Sequence, residues 1–301
     1  MTTFIQLIVD GLAQGSIYAA LALAIVLVNQ ATGLLNFSQG AMAVISAFVA
    51  LTVTTALAPA LGTTMAIIVA IIVAILFSFV LGGAVERLVM RRFEGGDQDT
   101  AVVATIGMLT LITGVVGVIW GYNYQQFPWF FPIAQSFMVG GIGISLWSLT
   151  TFLAIVVIMI LLQLVFAKTK LGLGLRAVAD NPNSAALSGL KVGRLLVVGW
   201  GLAAVLGSVA GILIAPKLQL TPTMLDSALV YALAAVVVGG LDSPIGAAIA
   251  AWGIAIVENL SAFYLPFVGN DLKVAVPFVL LVIVLVIRPQ GLFGRKAVVR
   301  V

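Results

Sequence analysis

The chain has 301 residues, 62% of them hydrophobic and 8% charged, with a formal net charge of +4 and a mean hydropathy of +1.25. A soluble domain carries roughly 25% charged residues, so a water-exposed globule of this size is excluded and the chain is an integral membrane protein. Cysteine and histidine are both absent, which excludes disulfides and thiol chemistry and argues against zinc or haem; no metal and no cofactor are expected.

The first apolar segment, at about 4–28, follows an N-terminus MTTFIQLIVDGLAQG without a basic region, so a cleaved signal peptide is not expected. A break rich in Gly and Asn precedes the second segment, 36–57, and a third runs over 63–85. No Asp, Glu, Lys or Arg occurs from position 11 to 85, room for several spans of about 20 residues. The first basic cluster follows: Arg87, Arg91 and Arg92. Segments 100–121 and 144–167 flank FPWFFP, residues 127–132. The second basic cluster is Lys168, Lys170, Arg176, Lys191 and Arg194. Segments 195–216, 227–241, 245–265 and 272–287 lead to the third, Arg288, Arg295, Lys296 and Arg300.

These clusters hold twelve of the fourteen basic residues. The excess of Lys and Arg in cytoplasmic loops places all three inside, which explains a pI near 9.6 without invoking nucleic acid. Two segments lie between the first and second clusters and four between the second and third, so the parity is consistent. The aromatic 127–132 turn then falls outside, and three leading segments put the N-terminus outside. Long apolar runs without strand alternation predict helices rather than a barrel. The expected fold is all-α, a polytopic transmembrane helical bundle of about 8–9 spans forming a single domain over 1–301. Segments 36–57 and 227–241 are the candidates for broken or re-entrant helices. Many of the 31 glycines, Gly201, Gly207, Gly211, Gly239, Gly240 and Gly246 among them, sit in small-residue patterns that let helices approach closely in lipid.

One compact polar segment interrupts this apolar chain: TKLGLGLRAVADNPNSAALSGLKVGR, residues 169–194. Asp180, Asn181 and Pro182 read as a helix start, since Asn caps and Pro suits the first helical position. Gly189 reads as the stop. The two-turn helix between them is too short to stand alone in water and needs something to lie in. Either it is an ordinary inner loop, or it is a stiff knob that fits a groove on a cytoplasmic partner, with Arg176 and Lys191 at its edge.

This segment resembles the coupling loop of ABC-transporter permeases of the branched-chain amino acid class, the LivH type. TGLLNFSQGAM (32–42) resembles that family's Asn-Phe-x-x-Gly segment, with Ser38 where Ala is common; VVVGGLDSPIGA (236–247) resembles its Gly-Gly segment, and RPQGLFG (288–294) its C-terminal signature. The stretches stand in the family's order along nearly the whole chain. The resemblance implies a permease subunit in the bacterial inner membrane, paired with a related second permease subunit. Two cytoplasmic ATPase subunits would dock below, and an extracytoplasmic substrate-binding protein would deliver branched-chain amino acids, urea or amides from outside. The chain has no G-x-x-x-x-G-K-[ST] phosphate loop, so ATP hydrolysis is expected from its partners and the chain is not expected to be an enzyme. The resemblance places ATPase coupling in the loop at about 168–194, on Thr169, Gly172, Arg176, Asp180, Asn181, Pro182, Gly189 and Lys191.

Polar groups inside lipid are costly and mark structure or function. Gln14, Tyr18, Asn36, Gln39, Asp226 and Glu258 are the candidates for the translocation pathway, although an amide such as Gln14, Asn36 or Gln39 also serves as interhelical glue. Glu258 is the one carboxylate well inside an expected span. Asp226 and Lys217 flank Thr221–Met224 near the outer face, and Asp242 is expected to fix the GGLDSPIG turn. The alternative function is an ion-coupled secondary transporter or channel working without ATP; one interior acid and no histidine make a thin proton relay.

Overall fold

The structure is a computed structural model that describes residues 2–93, 98–129, 136–269 and 271–294. Its helices are α1 (Thr2–Thr32), α2 (Gln39–Leu61), α3 (Thr63–Leu88), α4 (Gln98–Trp120), α5 (Leu146–Lys168), α6 (Lys170–Asp180), α7 (Pro182–Leu187), α8 (Val192–Leu218), α9 (Asp226–Gly239), α10 (Pro244–Tyr264) and α11 (Val276–Ile287). Short 3-10 turns occur at Met90–Phe93 and Lys273–Ala275. Seven helices among the described residues are long and apolar enough to cross a membrane: α1 to α5, α8 and α10. The chain is therefore an all-α multi-pass membrane protein.

Segment 227–241 is the 14-residue α9, which at about 1.5 Å per residue rises about 21 Å, short of the roughly 30 Å hydrocarbon core. Segment 272–287 is also short, an apolar helix over Lys273–Ile287. It begins as a 3-10 turn, and α11 holds 12 residues with Pro277 at its start. The 36–57 segment begins three residues before its helix, because residues 33–38 form the break between α1 and α2. Large apolar side chains repeat every fourth position on outward faces, as at Ile68, Ile72, Leu76 and Val80 of α3 and at Leu149, Leu153 and Val157 of α5, all exposed. In a bilayer such a row faces acyl chains or a partner helix.

The described residues divide into two compact units. The first draws on 27–129 and 162–229 and is built around α2, α3 and α8, which pack most closely. Lipid supplies no hydrophobic drive between helices, so close approach of small residues holds them. A Cβ on Gly211 of α8 would sit 2.7 Å from the Ala43 carbonyl oxygen of α2. A Cβ on Gly82 of α3 would collide with the Trp200 backbone of α8. Ser78 Oγ donates to Ser46 Oγ at 2.7 Å across α3 and α2, and Trp120 Nε1 donates to Thr52 Oγ1 at 2.9 Å across α4 and α2.

The second unit draws on the chain up to residue 26 and on 136–161 and 230–294. It contains a feature that the residue pattern does not announce, a hairpin of β1 (Ser136–Val139) and β2 (Ile142–Ser145). Gly140 and Gly141 make its two-residue turn at φ 59° and 82°, the left-handed pair that such turns demand. The Gln6 side chain pairs with β2 as a strand would: Nε2 donates to the Gly143 carbonyl at 3.0 Å, and Gly143 N donates to Oε1 at 2.9 Å.

The same unit carries a backbone clasp. Leu292 N donates to the Val238 carbonyl at 2.8 Å and Phe293 N to the Gly239 carbonyl at 3.1 Å, covering orphan carbonyls at the end of α9. Gly291 stands at φ 80°, and a Cβ there would lie 2.7 Å from both Gly240 N and the Val237 oxygen. Thus 236–247 and 288–294, two separate signatures in the sequence, are one structural object. Gly291→Val combines a strained left-handed residue with a backbone clash; it should lower stability by roughly 2–3 kcal/mol, read as an earlier thermal transition of the detergent-solubilised protein.

Candidate functional site

The polar segment is two helices, not one. Thr169 caps α6 by accepting from Gly172 N at 3.1 Å. Gly172 is required there because a Cβ would collide with the Phe166 backbone at the end of α5. On α6, Leu175 and Val178 point inward and join Ala31 of α1, Leu196 of α8 and Ala185 of α7 in one buried cluster. Arg176 is exposed, with its Nε donating to the Gly172 carbonyl at 3.4 Å. Asp180 is the last residue of α6 and is exposed.

Asn181 links the two helices in extended backbone, φ −158° and ψ 102°. Its N–H closes α6 on the Ala177 carbonyl at 3.1 Å, and its Oδ1 opens α7 by accepting from Ser184 N at 2.9 Å. Pro182 occupies the first turn of α7. Gly189, at φ 85°, ends it, with Leu190 N returning to the Ala185 carbonyl at 3.1 Å. The start and stop expected at Asn181, Pro182 and Gly189 therefore lie where the sequence puts them. Ala185 is the buried residue of α7, while Leu187 is 90% exposed. Lys191 is exposed beside the start of α8. The result is a stiff, capped peg that rests on one alanine and presents its remaining faces outward.

A contact absent from the sequence reading braces the foot of this segment. Glu86 of α3 is 1% exposed, yet it accepts from Arg91 through Nε at 3.2 Å and Nη2 at 3.0 and 3.1 Å. The same Nη2 donates to the Gly193 carbonyl at 2.8 Å, in the first turn of α8. Arg91 reads in the sequence only as positive charge, and what marks it is an acid five positions earlier at the end of an apolar run.

The expected pathway residues fall into separate groups. In one unit Asn36 and Ser38 of the α1–α2 break and Gln39, the first residue of α2, are all fully buried. Asn36 Oδ1 accepts from Ser38 N at 3.0 Å and Ser38 Oγ at 2.7 Å, and its Nδ2 donates to Gln39 Oε1 at 3.1 Å. Gln39 Nε2 donates to the Ala203 carbonyl of α8 at 2.9 Å. These side chains serve the backbone and each other, as a broken helix in lipid requires. In the other unit Gln14 Nε2 donates to Tyr18 Oη at 2.5 Å, and Tyr18 Oη donates to Glu258 Oε2 at 3.3 Å. Asp226 is exposed at the first residue of α9, a favourable place for an anion at a helix N-terminus. At the GGLDSPIG turn, Ser243 Oγ caps α10 by accepting from Gly246 N at 3.0 Å. Of the third basic cluster, Arg288 is described, while Arg295, Lys296 and Arg300 lie outside the described residues, as do residues 130–132 of the aromatic turn.

Residues 7–285 match the family described as branched-chain amino acid transport system / permease component. The chain is 27% identical over 304 residues to the high-affinity branched-chain amino acid transport system permease protein BraD of Pseudomonas aeruginosa, covering 99% of this chain and 98% of that one. It is 28% identical over 306 residues to the corresponding protein LivH of Escherichia coli, again covering 99% and 98%. A probable branched-chain amino acid transport permease protein, LivH of Methanocaldococcus jannaschii, is 27% identical over 305 residues, covering 96% and 92%.

Proposed function

The chain belongs to the branched-chain amino acid transport system / permease component family, and on that footing we propose that it is the membrane-spanning permease of an ATP-driven importer for branched-chain amino acids or related small polar solutes. It works with other subunits: a related second permease, two cytoplasmic ATPases and an extracytoplasmic binding protein, in the bacterial inner membrane. The whole chain acts as one permease domain. The observation that carries this reading is α7, a helix of six residues capped at both ends and rooted on Ala185 in a basic inner loop. Nothing about so short a helix favours its persistence in water; its caps and its exposed Leu187 suit insertion into a groove on an ATPase subunit. Thr169, Gly172 and Asn181 hold the lever stiff, Pro182 and Gly189 set its length, and Arg176, Asp180 and Lys191 give it charged edges. ATP-driven closure of the ATPases moves the lever, and α6 and α8 carry the motion into the bundle. Gln14, Tyr18 and Glu258 line the path, whereas Asn36 and Gln39 serve the broken backbone. Asp226 meets the binding protein.

Reconstitution with the four partner subunits tests this. Labelled leucine should accumulate in proteoliposomes with ATP, and accumulation should fall to background when the phosphate-binding lysine of the ATPases is replaced. Uphill accumulation by this chain alone, without nucleotide, would overturn the proposal.

A further inference from the structure

The Glu258 group offers more than a polar lining. Glu258 lies on α10, a membrane-crossing helix, and is 1% exposed. A carboxylate buried in lipid needs a counter-charge or several donors. Among the described residues it forms no salt bridge, its hydrogen-bond donor is the neutral Tyr18 hydroxyl, and Lys273 acts on it only through space. The donor chain is polarised toward it, from Gln14 Nε2 through Tyr18 Oη to Glu258 Oε2. Beside the carboxylate stand two buried aromatic rings. Tyr18 and Tyr231 have centroids 4.8 Å apart at 49°, and both rings are about 95% enclosed by protein, at 4% and 5% exposure. A carboxylate beside two tyrosine rings is the chemistry that holds an organic ammonium, by ion pairing and by cation–π attraction.

We infer that Glu258, Tyr18 and Tyr231 form a half-site for a primary ammonium group, so that the permease passes amino acids by their α-amino end and rejects neutral solutes such as urea and simple amides. This rests on the permease reading above and names the class of solute for the same path. The logic is that of a missing contact: the substrate supplies the ion-pairing cation that the described residues do not. An amide or urea brings no charge to the carboxylate, so it leaves the acid as poorly compensated as before and loses the competition. Gln14 is a positioning residue, holding the tyrosine hydroxyl so that its proton faces Glu258.

The test uses the complete complex in proteoliposomes, with labelled leucine and labelled urea as probes and subunit stoichiometry after affinity purification as the control for folding. The wild-type complex should take up leucine and not urea. Glu258→Gln should assemble at wild-type stoichiometry and lose at least ten-fold of leucine uptake, and Glu258→Asp should recover part of it. Tyr18→Phe, which keeps the ring and removes the hydroxyl, should cost three- to ten-fold. Leucine uptake by Glu258→Gln at the wild-type rate overturns the half-site, as does urea uptake in preference to leucine by the wild type. A Glu258→Gln chain that fails to assemble, with Tyr18→Phe transporting normally, also overturns it, since the acid is then structural. Wild-type complex that moves neither probe with ATP instead removes the permease reading beneath it.

Discussion

Asn181→Pro should reduce ATP-driven uptake at least ten-fold while the membrane bundle remains folded. Asn181 serves both helices of the polar segment at once, closing α6 with its N–H and opening α7 with its Oδ1. Proline has neither group, and its φ near −65° is far from the −158° that this junction uses. The lost cap costs about 1 kcal/mol and the lost backbone bond about as much again. A helix of six residues with a single buried side chain has nothing in reserve, so it melts locally. The long spans, which share no atoms with the cap, keep their packing. Asn181→Ser, which retains a capping oxygen, should stay within two-fold of wild type. Leucine uptake and ATP hydrolysis in the reconstituted complex would decide it: wild-type coupling in the proline variant would show that α7 is not the lever. Arg176→Glu tests the edge of the same peg, and its loss should appear as weaker ATPase association, because among the described residues Arg176 makes only a long local bond at 3.4 Å.

Arg91→Ala should be the most destabilising single change among the basic residues described. It takes from Glu86, which is 1% exposed at the end of α3, the guanidinium that faces both of its oxygens. Removing one partner of a fully buried pair costs 3–5 kcal/mol; Arg91 is 39% exposed, so about 2–3 kcal/mol is expected after screening. Arg91→Lys keeps the charge but not the fork that reaches Glu86 and Gly193 together, and should fall between. Glu86→Gln in the Arg91→Ala background should restore most of the loss, because the buried charge is then gone. Thermal unfolding in detergent measures all three. Equal stability of the alanine variant and wild type would show the pair to be incidental.

The sequence states plainly what the lipid demands and is silent on what the backbone does locally. Charge-free stretches and basic clusters disclose a multi-pass helical protein, since hydropathy is additive along a chain. The peg is legible from Asn181, Pro182 and Gly189 because capping is local chemistry within a few residues. Helix α6 is hidden by its own glycines, Gly172 and Gly174, which read as loop residues; the close approaches that need them, to Phe166 across the α5–α6 turn and to Leu195 of α8, are packing facts that residue type alone does not carry. The hairpin at residues 136–145 is hidden for a similar reason. Its strands are four residues each, and their edge partner is the side chain of Gln6, more than a hundred positions away. Among polar residues the pattern names Asn36, Gln39 and Glu258 alike. It does not say that the first two satisfy a broken helix while the third, among the described residues, takes its hydrogen bond from the neutral Tyr18 hydroxyl, because that difference lies in which helices meet.

The α9 clasp bears on how the protein is made. The carbonyls of Val238 and Gly239 leave the ribosome some fifty residues before Leu292 and Phe293, the groups that will satisfy them. A nascent chain inserted up to α10 therefore holds a short apolar helix whose last two carbonyls still lack these donors. Biogenesis finishes from the C-terminal side, and a transcript cut short before Arg288 should yield a polypeptide that membrane proteases clear rather than a smaller working permease.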